Sequence, residues 1–514
     1  MAPPSIRRQI LGGSAYLTGE QVLTLSLSLV YSVLLFRYLG PRTFGGFSVA
    51  LAVLAIGQLL AGTYESYLER FVPAYLAQGA AAEIKRSFRA AWVVKTTSAA
   101  AVAILLSLFG EQIGALVGVG PLGGWLTWLC WTVPANACID MTLGLTFGLK
   151  RFGVRVLVSG TRNFLKVASV AICFAAGRTV EDFIVVLAVQ TVLVALGSLG
   201  ANYVLLRRLP AGRSLGGWTD VVGRVVRYST PIAAGNFVFS LHEYSGKLIL
   251  APFFPAEIIG YFSFAMDTIS RLVALVRGLS TALLPVMAEA LARRDPAAVE
   301  RITEGAFRYL TAVGVLMSVG TISLAPEVTR ILAGKAFIPA VTLLGAMGMQ
   351  LVFRLPAQPL TMGLYAYERP MMVLRLTVER YVLMLALYGA LIPLVGIAGA
   401  CWADVLSFFG IFFRFTSAAQ RYMGVGNRLR GTYVRTVSIT AVAALLAVPL
   451  WQAGTAGIVL RLLWVPMASL LAVLLAGLVR AADLRLLDER LPQLSMATGV
   501  LARLAAITAR LGER

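Results

Sequence analysis

Charge and histidine are what this chain has least of. Of its 514 residues only 13% are charged and 58% are hydrophobic, whereas ordinary globular domains are about a quarter charged. Such a composition cannot furnish a polar surface, so a water-soluble fold is excluded. The single histidine, His242, excludes a multi-histidine metal centre. The four cysteines, Cys130, Cys138, Cys173 and Cys401, lie in apolar runs and lack the close spacing of a zinc site or a disulfide framework. No Gly-rich phosphate loop, zinc motif or catalytic triad stands out, so ATP-driven transport and enzymatic chemistry are not expected, and no cofactor is implied. Alternation is missing too. A membrane β-barrel needs strands of about ten residues that alternate apolar and polar, and the runs Val434 to Leu450 and Ile458 to Val479 do not alternate.

What is present is one apolar stretch after another, each long enough to cross hydrocarbon as a helix. Hydropathy places spans near 10–36, 44–62, 89–110, 125–149, 156–177, 183–206, 229–251, 258–284, 305–326, 338–364, 371–394, 397–419, 434–452 and 457–479. The expected fold is therefore an all-α integral membrane protein of about fourteen transmembrane helices. The start, Ser5 to Leu11, has a twin-arginine look, but the apolar run behind it is long and carries Glu20, so it reads as an uncleaved first span.

The formal charge of +21 is explained by the positive-inside rule rather than by nucleic acid. With the amino terminus in the cytoplasm, Lys85, Arg86, Arg89, Lys150, Arg151, Arg207, Arg208, Arg213, Arg293, Arg294, Arg428, Arg430 and Arg435 fall on the cytoplasmic side, while the exoplasmic loop Glu111 to Gly124 has no basic residue. Exoplasmic loops are short, which leaves no room for an external catalytic domain. After Arg480, Val500, Leu504, Ile507 and Leu511 share one helical face and Arg503, Arg510 and Arg514 another, as in a tail lying at the cytoplasmic interface.

An internal repeat organises the spans. Phe44-Gly45-Gly46-Phe47-Ser48-Val49-Ala50 is answered by Ile259-Gly260-Tyr261-Phe262-Ser263-Phe264-Ala265, an offset of 215 residues (263 minus 48). Phe71 to Ala77 is answered, with a small shift, by Leu283 to Ala288. An even number of spans separates the copies, so the halves share one orientation, with a substrate path expected between two lobes. The expected division is 1–228 for helices 1–6, 229–430 for helices 7–12, 431–480 for helices 13–14 and 481–514 for the cytoplasmic amphipathic tail.

Ionised groups inside the spans each cost about 2.5–3.5 kcal/mol on insertion scales, and are functional candidates by default. The sequence reading weighs the cations Lys95, Arg162, Lys166, Lys247, Arg271, Arg277, Arg354, Arg380, Arg414 and Arg461 against the acids Glu20, Glu243, Asp267, Glu379 and Asp404. Pairing such as Glu379 with Arg380 or Asp267 with Arg271 leaves a cationic excess, which suits phosphate or pyrophosphate gripped by arginine. Arg162, Arg414 and Arg461, near span ends, are expected to snorkel outward. Asn236, Ser240, Glu243 and Lys247 form one stripe on the seventh span; Gly13, Glu20, Thr24 and Tyr31 form another on the first, and the two stripes are expected to face each other. His242 lies off that stripe and reads as a packing residue. Arg70 is either a topogenic charge or the rim of an inward-facing cavity. The cavity candidates are thus Arg70, Lys247, Arg271, Arg277, Arg354 and Arg380, with Asn236, Ser240 and Thr24 as polar lining. Glu20, Glu243, Asp267, Glu379 and Asp404 are the candidates for charge balance or for coupling to Na⁺ or a proton.

The stretch Leu35-Phe36-Arg37-Tyr38-Leu39-Gly40-Pro41-Arg42-Thr43-Phe44-Gly45 resembles the signature after the first helix of the polysaccharide-unit (Wzx-type) flippases, within the multidrug/oligosaccharidyl-lipid/polysaccharide (MOP) exporter superfamily. Tyr228 to Ile232, Ile259 to Ala265 and Leu391 to Ala400 agree with that family's habits. The resemblance implies two pseudo-symmetric six-helix lobes plus two extra C-terminal helices, alternating access, and translocation of a polyprenyl-pyrophosphate-linked oligosaccharide from inner to outer leaflet for O-antigen, lipopolysaccharide or exopolysaccharide synthesis. It also implies an inner-membrane location and, as partners, membrane lipids and the glycan polymerase and glycosyltransferases of the same pathway. A lipid II flippase and a drug or cation antiporter of the same superfamily are the rival readings. The antiporter would normally need acidic residues in its pocket.

Overall fold

The computed structural model describes residues 6–210, 217–452 and 454–478, and among these the backbone is helical almost throughout, with no strand. The tail 481–514 and the side chain of His242 lie outside what is described. The helices are α1 (Ile6–Leu60), α2 (Glu65–Ala77), α3 (Ala81–Leu108), α4 (Gly110–Val117), α5 (Leu122–Leu129), α6 (Thr132–Gly148), α7 (Phe152–Ala175), α8 (Val180–Arg207), α9 (Trp218–Leu250) and α10 (Ala256–Thr281), followed by α11 (Leu283–Ala292), α12 (Pro296–Ser323), α13 (Ala325–Ala333), α14 (Val341–Gly348), α15 (Gln350–Ala366), α16 (Pro370–Val395), α17 (Ile397–Met423), α18 (Gly426–Ala447) and α19 (Gly454–Leu475).

Ten helical stretches are long and apolar enough to cross a bilayer, and the difference from about fourteen expected spans has local causes. The first two spans run on as one stretch, Gly19–Leu60, bent at Gly40, whose φ of 65° and ψ of 174° only glycine adopts readily. The fourth is cut into α5 and α6, each too short alone. The seventh and thirteenth, in α9 and α18, are formed but too polar to qualify.

Local sequence sets the helix ends. Thr179 and Asp182 close a capping box on α8, each backbone N–H donating 3.2 Å to the other's side chain. Asp295 accepts from the Ala298 N–H at 2.8 Å, with Pro296 in the first turn of α12. Within the helices, Ser and Thr hydroxyls donate to carbonyls one turn back, as Thr146 does to Thr142 at 2.8 Å and Thr311 to Phe307 at 2.6 Å, which keeps them satisfied in an apolar surround. Large apolar side chains instead cover the outside: Leu157, Ile172, Leu193, Leu445 and Leu463 are all more than half exposed. A surface of this kind is solvated by lipid.

The chain forms two compact units, Met1–Ser263 and Phe264–Arg514. In the first, α2 and α3 pack on α6, and α1 packs on α7. Gly144 and Gly148 let α6 approach α2 so closely that a methyl on Gly148 would stand 2.7 Å from the Leu68 carbonyl oxygen. In the second, α12 packs on α15, and α16 and α15 pack on α17, around Phe353, Phe412 and Tyr433; the last two rings stack at 3.4 Å. Helices α18 and α19 lean on α12.

The repeat is visible element by element. Helix α3 and its counterpart α12 are each 28 residues long, α6 and α15 are each 17, and the connection before α7 turns through Lys150 as that before α16 turns through Glu368, both at φ 55°.

Candidate functional site

Ionisable side chains gather within each unit, carried by helices from distant parts of the sequence. In the first unit, Arg155 on α7 donates from Nε to Glu20 of α1 at 2.9 Å and from Nη1 to the Leu143 carbonyl at 3.0 Å, and lies 3.8 Å from Glu69 of α2. Beside it, the buried Lys95 of α3 donates to Glu65 at 2.5 Å and to Asp140 of α6 at 3.3 Å. Arg162, two turns along α7 from Arg155, is 3.7 Å from the other oxygen of Asp140. Thr24 joins the same group through Ser159, 3.4 Å away, and Asn163, 3.5 Å away. Charges of alternating sign thus tie five helices together. Each carboxylate offsets the burial cost of the cation beside it.

In the second unit, Arg380 of α16 is buried against Asp404 of α17 at 3.4 Å, and Gln350 of α15 donates to the same carboxylate. The ring of Phe408 lies 4.0 Å from the Arg380 guanidinium and 5.6 Å from that of Arg354. Arg162 and Arg380 occupy equivalent places in the repeat, ten residues into α7 and α16 (162 minus 152, 380 minus 370). Each is held by an aspartate from a neighbouring helix.

Several sequence expectations are corrected. Glu379 does not pair with Arg380, because consecutive helical residues point about 100° apart. It accepts instead from Arg375 at 2.9 Å and from Arg414 at 3.1 Å. Arg461 does not snorkel: it is buried and bonded to Glu327 of α13. Arg162 is likewise turned inward, to Asp140. The acidic stripe of the first span, Glu20 and Thr24, contacts α7. Asp140 lies inside the fourth expected span and Arg308 inside the ninth, and both belong in the charge balance that omits them. Glu65, Glu69, Arg155 and Glu327 fall just beyond span ends drawn by hydropathy, yet inside or against the bundle. Extending each window by one helical turn would have caught Glu65, Arg155 and Glu327, and two turns Glu69.

With these partners counted, the cationic excess is smaller and better located. Arg70 on α2 and Arg277 on α10 are exposed and make no ion pair among the described residues. Lys166, one turn beyond Arg162 on α7, is half-buried and also makes none. Lys247 is buried, and Arg271, Arg354, Asp267 and Glu243 are half-buried. Of the polar lining, Ser240 is half-buried and Asn236 exposed. No cluster of potential metal ligands occurs among the described residues.

Solved structures similar to this chain include transporters. The lipid II flippase MurJ in an inward closed conformation has a TM-score of 0.67 at 12% identity, covering 90% of this chain and 98% of that one. An inward-facing multidrug resistance MATE family transporter of the MOP superfamily has 0.65 at 15%, covering 79% and 96%. A Vibrio cholerae MATE transporter has 0.56 at 12%, covering 80% and 97%. At such identities the likeness is one of fold, and the fold is that of the MOP exporters. No curated protein matches the chain. Residues 10–291, more than half of its length, match the profile described as "Polysaccharide biosynthesis protein", and the chain belongs to that family.

Proposed function

We propose that this protein is a flippase that carries a polyprenyl-pyrophosphate-linked oligosaccharide from the inner to the outer leaflet of the cytoplasmic membrane, for cell-surface polysaccharide synthesis. The observation that carries the reading is membership in a polysaccharide biosynthesis family joined to a fold shared with a protein named as a lipid flippase. Arg70 in the first unit and Arg277 in the second, exposed and without acidic partners among the described residues, are each suited to a phosphate group, which arginine grips through two parallel hydrogen bonds. Lys247 and Arg271 extend that role on α9 and α10. Arg380, sealed against Asp404, holds α16 to α17 rather than touching cargo, with Arg354 across the same ring. Both termini face the cytoplasm, where the glycosyltransferases of the pathway deliver the substrate.

Coupling to Na⁺ or a proton falls to the acids. Glu20, Glu379 and Asp404 are already held by arginines, which leaves Glu243 and Asp267, both half-buried; Glu243 makes no ion pair among the described residues.

The test is export of surface polysaccharide by cells whose own copy is replaced. Arg277→Ala, Lys247→Ala and Arg271→Ala are expected to lower it at least tenfold with the protein still in the membrane. Wild-type export from all three removes the cationic-site reading. Resistance to cationic dyes conferred by the chain, without any effect on surface glycan, would favour the antiporter instead.

A further inference from the structure

Along the inward face of α7 one cation stands apart. Ser159, Arg162, Lys166, Val170 and Cys173 recur at i, i+3, i+7, i+11 and i+14 and so share that face. Ser159, Val170 and Cys173 are buried, while Leu157, Phe164 and Ile172 on the opposite side are more than half exposed. Lys166 is half-buried on the packed side, so what remains accessible of it opens into the unit. Its charged neighbours are Arg162, one turn back, and Asp140 across on α6. The helices packed on α7 add little else: α1 has only Tyr31 between Glu20 and Arg37, α6 only Cys138 besides Asp140, and α8 nothing ionisable between Asp182 and Tyr203. Lys166 makes no ion pair or hydrogen bond among the described residues. By contrast Lys95 holds Glu65 and Asp140, Arg155 holds Glu20 and Glu69, and Arg162 holds Asp140.

Counted together, Lys95, Arg155, Arg162 and Lys166 balance Glu20, Glu65, Glu69 and Asp140, four against four. The balance holds only while Lys166 is protonated. Every carboxylate of the cluster, and Lys95, is fixed in its charged form by a partner. Arginine keeps its proton at any working pH, whereas a lysine out of water can exchange one. We propose that this cluster is a proton site whose exchangeable proton sits on Nζ of Lys166. Release breaks an Nζ–H bond, leaves the electron pair on nitrogen and passes the proton to water. Loaded, the cluster is neutral and can be closed off; empty, it carries one negative charge, which apolar surroundings resist. The proton therefore leaves only while the unit is open to water and returns before it closes. Lys166 adds a basic carrier to the acids considered for coupling. The inference rests on the flippase reading, whose cycle the proton would drive.

The test separates a proton carrier from a fixed charge. In cells whose own copy is replaced, Lys166→Arg keeps the charge but cannot release it, and Lys166→Gln carries no proton to exchange. Both are expected to lower export of surface polysaccharide at least tenfold with the protein still in the membrane. Lys166→His restores an exchangeable proton and is expected to keep about a third of the export or more, with its pH optimum moved about one unit or more to acid. Wild-type export from the Arg or the Gln variant would overturn the proposal, and so would an active His variant with an unmoved optimum. Should all three be inactive, a measurement without cargo decides. Vesicles that enclose a pH-sensitive dye and carry the purified chain are given a pH step, and the wild-type chain is expected to dissipate it at least fivefold faster than Lys166→Gln. Equal rates overturn the proposal. If deleting the protein leaves surface polysaccharide unchanged, the flippase reading fails, while the vesicle rates still report on Lys166.

Discussion

At the scale of residues, the side chains divide into charges that hold the bundle and charges left to meet cargo. Lys95 serves two carboxylates at once, so Lys95→Ala takes the cation away from Glu65 and leaves Asp140 to Arg162 alone. Breaking a buried pair in this way costs about 3–5 kcal/mol. The expected outcome is a large loss of folded protein in detergent, seen as a lower melting temperature by tryptophan fluorescence, whatever the cargo. Arg70→Ala is expected to do the reverse, lowering export while leaving the melt unchanged, because Arg70 is exposed and pairs with nothing described. Only part of this was legible in the sequence. A lone charge in an apolar run announces itself, and so Lys95, Arg162 and Arg380 stand out. Its partner does not, because Glu65, Asp140 and Asp404 come from other helices and no local pattern says which will be adjacent.

At the scale of elements, glycine decides how closely helices approach, as is common where helices pack in membranes. The α2–α6 crossing depends on Gly148, and Gly148→Ala brings a methyl against the Leu68 carbonyl and Val72. Overpacking of this sort costs about 1–3 kcal/mol; the expected result is a lower melting temperature, partly rescued by trimming Val72 to Ala. The helices themselves were readable from hydropathy, which follows composition, and the repeat from small-residue turns at a fixed offset. Their breaks were not. The division between α5 and α6 and the run-through at Gly40 depend on backbone angles that an apolar window averages away.

At the scale of the whole molecule, α18 and α19 are tied to the second unit by polar contacts as well as apolar ones. Arg461 bonds to Glu327, and Arg308 donates to the Leu478 carbonyl at 3.1 Å. Ending the chain at Gly424 therefore leaves Glu327 and Arg308 without these partners. The truncated protein is expected to be poorly recovered from membranes, and restoring the missing segment as a separate polypeptide should raise recovery. Normal recovery of the short form would show that the last two helices are dispensable for folding.

Gly40 has a consequence for synthesis. The chain bends at a single non-helical residue, so no separate loop divides the first two spans. The two spans are expected to enter the membrane as one insertion unit. A larger residue at 40 would strain that bend at birth, before any other helix exists to stabilise it.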